Sequence, residues 1–368
     1  MKVYFPNLNA MRFLAALLVI VHHIEQYKEM FGLDNIFRNH TIQLMSKIGV
    51  GLFFVLSGFL ITYLLLVEQK ENGNINIKSF YIRRILRIWP LYYLIILLAF
   101  FVFPQIDFMH LPGHDQSHWF IKFLFFILMM PNVIHALGAG LAFGTQAWSI
   151  GAEEQFYLIW PWLLKIIKNK LALVLSVIII YLIVKFLFEF YFNTHIVIAY
   201  LNRIWYLFPI DNMATGGLFA VIYFNGYKKI IRILHNKYLQ ILAWLSTIFL
   251  LLSGNSLGFF HHQIYALLFG ILIFNLAVNP NSIVQFKSKI LDYLGKISYG
   301  LYMYHSIFIV LSIKVCMHFN IVNNVYIYTS SFLSTLIAAG LSYQFFEKRF
   351  IKMKVKYSSV VSGENVIS

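Results

Sequence analysis

Eleven apolar segments of bilayer-like length follow one another through this chain, at 8–27, 46–67, 88–104, 119–133, 147–167, 171–192, 203–224, 238–253, 260–278, 297–317 and 325–346. Lipid offers backbone amides no water to bond, so segments of this kind fold as helices that close their hydrogen bonds internally. The expected fold class is an all-α polytopic membrane protein. With 60% hydrophobic and only 12% charged residues and a mean hydropathy of +0.73, an ordinary soluble globule is excluded.

Charge decides how many segments cross. Basic loops at 70–87, 228–237 and 287–296 and a basic tail at 348–356 are expected on the cytoplasmic side. An even number of spans must separate the first two loops, yet five segments lie there. The weakest is Trp119 to Met130, which is short, carries Lys122 and runs into Pro131 and Asn132. It is expected to be re-entrant or interfacial on the outer side, leaving about ten transmembrane helices with both termini cytoplasmic. The turn 165–170, with its three lysines, then falls inside.

The net charge of +15 is explained by this topology, because lysines and arginines cluster at helix ends rather than on one polar surface, and nucleic acid is not an expected partner. No small-residue cleavage site follows the first segment, so it is expected to remain in the mature protein. The single cysteine, Cys316, is apolar packing. No polar stretch is long enough for a second core, so residues 1–356 form one integral-membrane domain and 357–368 a polar, frayed tail.

Ionisable residues inside spans are candidates for function, since an arginine near the bilayer centre costs about 3 kcal/mol. In MRFLAALLVIVHHIEQY, Arg12 and His23 are eleven residues apart, three turns plus about 20°, and share one helical face roughly 16 Å apart along the axis. His22 falls about 80° off that face. The bland alternative places Arg12 and both histidines at the membrane rims.

Three further segments add to this pattern. Gly49, Gly51, Ser57 and Gly58 put small residues on the second span, as close helix packing in lipid requires. Arg84 and Arg87 share a face beside a cytoplasmic edge, while Arg83 points elsewhere; the pair suits a phosphate, or else simply anchors the helix. The run QAWSIGAEEQFYLIWPW brings Trp148, Ser149, Glu153 and Glu154 into the first turns of a span. Ser149 and Glu153 share a face there, and Glu153 is within reach of His23 as the carboxylate that orients its imidazole.

Together these segments, with GLFFVLSGFLIT and GKISYGLYMYHSIFI, resemble the acyltransferase-3 family of integral-membrane O-acyltransferases over nearly the whole length. The resemblance implies transfer of an acyl group, most often acetyl from acetyl-CoA, to hydroxyls of surface carbohydrates. It implies functional roles for Arg12, His23, Arg84, Arg87, Ser149 and Glu153. His23, Glu153 and Arg12 are the expected catalytic set, Arg84 and Arg87 hold acyl-CoA, and Ser149, Trp148 and His305 support the substrate. No metal is expected. The chain departs from the family where it reads FFEKRF, with Arg349 in place of a proline near Glu347. Some relatives carry an extracytoplasmic hydrolase-like domain, so a separate acyl-carrying partner is the corresponding expectation here.

Other buried polar residues are less directed. His305 reads as a buried histidine bonded to a neighbour; Asp211 is expected to pair with Arg203 or Arg12; adjacent His261 and His262 face different ways and do not suggest a metal site. The expected mechanism is direct transfer, with a covalent acyl-serine or acyl-histidine route left open. The expected setting is a bacterial plasma membrane, with a carbohydrate acceptor that is lipid-linked or on the outer side. An exporter using the same charges as a relay is the rival class.

Overall fold

A computed structural model describes residues 2–112, 117–192, 195–358 and 360–362. The chain begins with α1 (Asn7–Met30), α2 (His40–Asn72) and α3 (Ile77–Leu97), then two short helices, α4 (Trp119–Ile127) and α5 (Pro131–Ala136). Next come α6 (Ala147–Ile166), α7 (Lys170–Phe190), α8 (Ile196–Tyr206), α9 (Ile210–Phe224), α10 (Lys228–Leu234) and α11 (Lys237–Ser253). The last part holds α12 (His261–Val278), α13 (Lys289–Lys296), α14 (Ser298–His318), α15 (Asn324–Ser342) and α16 (Lys348–Lys354). A two-residue parallel pairing of β1 (Lys2–Val3) with β2 (Val361–Ser362) is the only sheet among the described residues.

Among the described residues, eight helical stretches are long and apolar enough to cross a membrane. The expected spans at 147–167 and 238–253 do form helices, α6 and α11, but fall outside that eight. The charges of Glu153, Glu154 and Lys165 lower the hydropathy of α6, and α11 has 17 residues. The segment singled out as non-crossing is broken into α4, of 9 residues, and α5, of 6, with Met129 at a positive φ of 58° between them. Neither approaches the roughly 20 residues that a span needs.

The bundle is organised on α2, which packs against α9 and α1. Two of its glycines serve the close packing anticipated for them, since a Cβ on Gly58 would strike the Met213 backbone of α9 and one on Gly49 the Ala15 carbonyl of α1, whereas Gly51 has ordinary room and Ser57 bonds to Glu153; on α9, a Cβ on Gly216 would strike the Val55 carbonyl of α2. At its cytoplasm-assigned end α2 stops at Gly73, whose φ of 71° ends the helix, and Glu68 there forms a buried pair with Arg83 of α3 at 2.7 Å. Arg83 also donates to the Tyr357 carbonyl at 2.7 Å. That bond holds the chain at Tyr357, while residues 359 and 363–368 of the expected tail lie outside the described residues. Outward faces of α7 and α11 carry exposed Ile179, Ile183, Phe186, Leu245 and Phe249, the surface a hydrocarbon solvent wants.

Candidate active site

Three cavities follow α1 from one end to the other. The first, about 110 Å³, is lined by Arg12, Arg84, Arg87, Lys296 and Lys354 and, among the described residues, by no carboxylate. Arg12, Arg84 and Arg87 also line the second, about 120 Å³, together with Ser57, Ser149, Glu153 and Tyr157. The second meets the third at Val50, Phe54 and Tyr302, and the third, about 350 Å³, holds His22, His23, His135 and Trp148. Arg12 and His23 thus stand in successive cavities along one tract, as their spacing on α1 anticipates.

The arginine end is built for an anion. Arg12 Nη1 donates to Asn9 Oδ1 at 2.6 Å, and Asn9 Nδ2 donates to Asp292 Oδ1 at 2.6 Å, so the amide is fixed with its oxygen toward Arg12. The Asp292 carboxylate also accepts from Tyr4 (2.7 Å) and lies 2.8 Å from Lys296. Burial works to raise its pKa, but the bonds from Lys296, Tyr4 and Asn9 prevail and hold it below the ordinary aspartate value. Arg84 lies 5.6 Å from the rings of both Phe80 and Tyr157, and its buried Nε has no hydrogen-bond partner among the described residues. An unpartnered guanidinium donor in a basic cavity fits a phosphate-bearing ligand.

In the middle cavity, Glu153 accepts hydrogen bonds from Ser57 and Tyr157. The anticipated contact with His23 is not formed, because Glu153 lies about one turn below Ser149 on α6, on the arginine side of Tyr302. Glu154, pointing elsewhere on α6, accepts from Trp89 Nε1 at 2.8 Å. Ser149 Oγ meets the Tyr302 hydroxyl at 2.7 Å, and Tyr302 donates to the Gln146 carbonyl at 2.9 Å.

What orients His23 is its own helix. His23 Nδ1 lies 2.8 Å from the Val19 carbonyl, which can only accept, so Nδ1 carries the proton and Nε2 keeps its lone pair. His22 Nδ1 is likewise 2.8 Å from the Ile42 carbonyl, and His305 Nδ1 is 2.6 Å from the Tyr302 carbonyl. The His23 ring is 4.9 Å from that of His22 and 4.7 Å from that of His305. His22 therefore lines the cavity too, despite its angular offset on α1. His305 is fully buried and backbone-bonded, as expected, but its Nε2 has no partner among the described residues and its ring lies tilted beside that of His23.

Trp148 lines the wide cavity and stacks on His135, with centroids 6.1 Å apart; burial pushes the His135 imidazole below its ordinary pKa. Asp211 does not pair with Arg203 or Arg12. Its Oδ2 accepts from Gln263 Nε2 at 2.6 Å, because α9 is packed beside α12 and neither arginine reaches that wall. His261 and His262 bond to the Leu257 amide and to Tyr206, respectively. Sequence reasoning missed Tyr302 and the hydroxyl role of Ser57. Tyr302 stands one turn before His305 in YGLYMYHS, a signal that was available, whereas Ser57 was legible only as a small residue.

Residues 5–344 match a family model described as an acyltransferase domain. The chain is similar to peptidoglycan O-acetyltransferase OatA of Listeria monocytogenes, at 28% identity over 94% of this chain and 55% of the relative. It is similar to a putative O-acetyltransferase of Staphylococcus aureus, at 25% identity over 96% of this chain and 58% of the relative. A putative peptidoglycan O-acetyltransferase of Bacillus subtilis, YrhL, shares 32% identity over 48% of this chain and 27% of its own length. The chain thus spans just over half the length of the two relatives it matches end to end. No solved structure matches it.

Proposed function

The chain belongs to the acyltransferase-3 family, and from that membership we propose that it is a multi-pass enzyme of a bacterial plasma membrane that O-acetylates a cell-wall carbohydrate of the peptidoglycan type. The observation that carries this reading is the tract of three cavities joining a carboxylate-free arginine pocket to the His23 imidazole. In this reading acetyl-CoA is the donor substrate. Its phosphates lie against Arg84 and Arg87 at the cytoplasmic mouth, and its arm passes Arg12, Glu153 and Ser149 toward Tyr302.

His23 Nε2 takes the proton of the acceptor hydroxyl as that oxygen attacks the thioester carbonyl carbon. The C–O bond forms, the C–S bond breaks, and the thiolate leaves with the proton returned by His23. Val19 holds the tautomer that makes this possible, and the His305 ring lies 4.7 Å from the imidazole. Glu153 serves the donor passage in this scheme, bonded to Ser57 and Tyr157. Residues 1–356 act as one domain of ten spans, with α6 and α11 completing the set, α4 and α5 re-entrant from outside, and both termini cytoplasmic. The acetyl group goes directly to the carbohydrate or to a separate extracytoplasmic carrier.

An exporter has less support, because a relay gives no reason for an arginine pocket with an unpartnered guanidinium donor. Labelled acetyl-CoA, added to inside-out membrane vesicles containing the protein, tests the reading. Label is expected in cell-wall carbohydrate; carbohydrate movement without label would replace this reading with export.

A further inference from the structure

The third cavity has a wall that the transfer reaction leaves without a task. Asp211 and Asn212 open the first turn of α9 and line the same cavity as His22 and His23, with exposures of 1% and 3%. Asn212 Oδ1 lacks a hydrogen-bond partner among the described residues, and Asp211 Oδ1 has none beyond the backbone amides of its own turn. Two adjacent buried acceptors so poorly supplied with donors are costly to keep, and each is a reason to expect a ligand. The carboxylate is also aimed. Gln263 Nε2 holds Oδ2 at 2.6 Å, and Lys185 Nζ is 3.4 Å from Gln263 Oε1 on the other side of that amide.

We propose that Asp211 and Asn212 form a saccharide subsite, which takes two hydrogen-bond donors of the acceptor sugar and sets its target hydroxyl toward His23. This rests on the acyl-transfer reading above. The chemistry selects the ligand class, because two oxygen acceptors call for neighbouring O–H or amide N–H groups, as a sugar with hydroxyl and acetamido substituents presents them. The phosphates and the thioester of the donor offer acceptors only, so neither of those groups is drawn to this wall. Trp148, in the same cavity and stacked on His135, supplies a flat apolar surface for the C–H face of a sugar ring.

The test uses the full chain in lipid nanodiscs, with N,N′-diacetylchitobiose as the saccharide probe and acetyl-CoA as the donor probe, each titrated alone by calorimetry. In Asp211→Asn the Gln263 donor keeps the amide oxygen, so the new NH2 group faces the cavity and an acceptor becomes a donor. Saccharide binding is expected to weaken about 10- to 100-fold with acetyl-CoA binding unchanged. Asn212→Leu removes the second orphan oxygen at similar size. It is expected to keep or raise the thermal midpoint while also weakening the saccharide. Wild-type saccharide affinity in both folded variants would overturn the subsite, as would failure of the wild type to bind the disaccharide while still acetylating isolated cell wall. Because binding is read without the donor, loss of transfer in the wild type would count against the acyl-transfer reading and leave the subsite measurement standing.

Discussion

His23 is held by Val19, one turn earlier on the same helix, through a 2.8 Å bond from Nδ1 to the carbonyl oxygen. The orienting group of a candidate general base is thus a backbone atom that no substitution at another position removes. His23→Ala is expected to lower acetyl transfer by about 10²- to 10⁴-fold with the protein still in the membrane. His22→Ala, although it opens the same cavity, should be much milder. Transfer rates normalised to protein level check this, and equal losses would shift the base assignment to the pair.

The arginine pocket separates charge from geometry. Arg84→Lys and Arg87→Lys keep the charge but lose the planar fork, and each should raise the apparent constant for acetyl-CoA about 10- to 100-fold. Arg83→Lys should instead lower thermal stability, since Arg83 is spent on Glu68 and the Tyr357 carbonyl. Saturation kinetics together with thermal midpoints distinguish the two effects. Unchanged donor constants in Arg84→Lys and Arg87→Lys would leave that pair as helix anchors.

Asp292 carries a pH dependence with a definite sign. Its folded pKa is depressed, so its contribution to stability is complete above the ordinary aspartate value of about 3.9 and fades as the pH falls through the lower folded value. Wild type should therefore be more stable than Asp292→Asn at neutral pH, with the gap in thermal midpoint closing below about pH 4. A gap constant with pH would show that the carboxylate charge is not what matters. Since Asp292 fixes Asn9, and Asn9 meets Arg12, the variant should also loosen the grip on acetyl-CoA.

Helix contact between α2 and α9 can be tested by one methyl group. Gly216→Ala places a Cβ against the Val55 carbonyl and 2.7 Å from the Phe59 nitrogen, and should cost about 1 to 3 kcal/mol. Gly51→Ala, whose Cβ would meet Asn212 Nδ2 at an ordinary 3.7 Å, should be near neutral. Thermal unfolding in detergent ranks them; equal effects would deny the close crossing.

Topology is open to labelling from outside. In a Cys316→Ala background, a cysteine at Gly138 should react with an impermeant maleimide and one at Asn169 should not. The reverse pattern would overturn the even count of crossings between the first two basic loops.

The sequence made the long helices legible, because apolar length and basic loops are local properties, and the face shared by Arg12 and His23 follows from a single helical period. Partners between helices were less accessible. A period gives the angle of Glu153 on α6 but not its depth relative to α1, and depth placed it beside Ser57 rather than His23. The same limit hid the pairing of Asp211 with Gln263, 52 residues away, and the nearness of His305 to His23. Family resemblance named the residues as a group without telling which of them face one another.

Val50, Phe54 and Tyr302, where the middle and wide cavities meet, carry a second burden. A membrane that stores energy as a proton gradient cannot tolerate a wire of water through one of its proteins, and a tract reached from both faces is the beginning of such a wire. The Tyr302 phenol, pinned to Gln146 and Ser149 where the two cavities share a wall, is the group placed to interrupt it. On the function proposed above, an acyl group would pass between compartments while the chain still behaves, electrically, as an insulator.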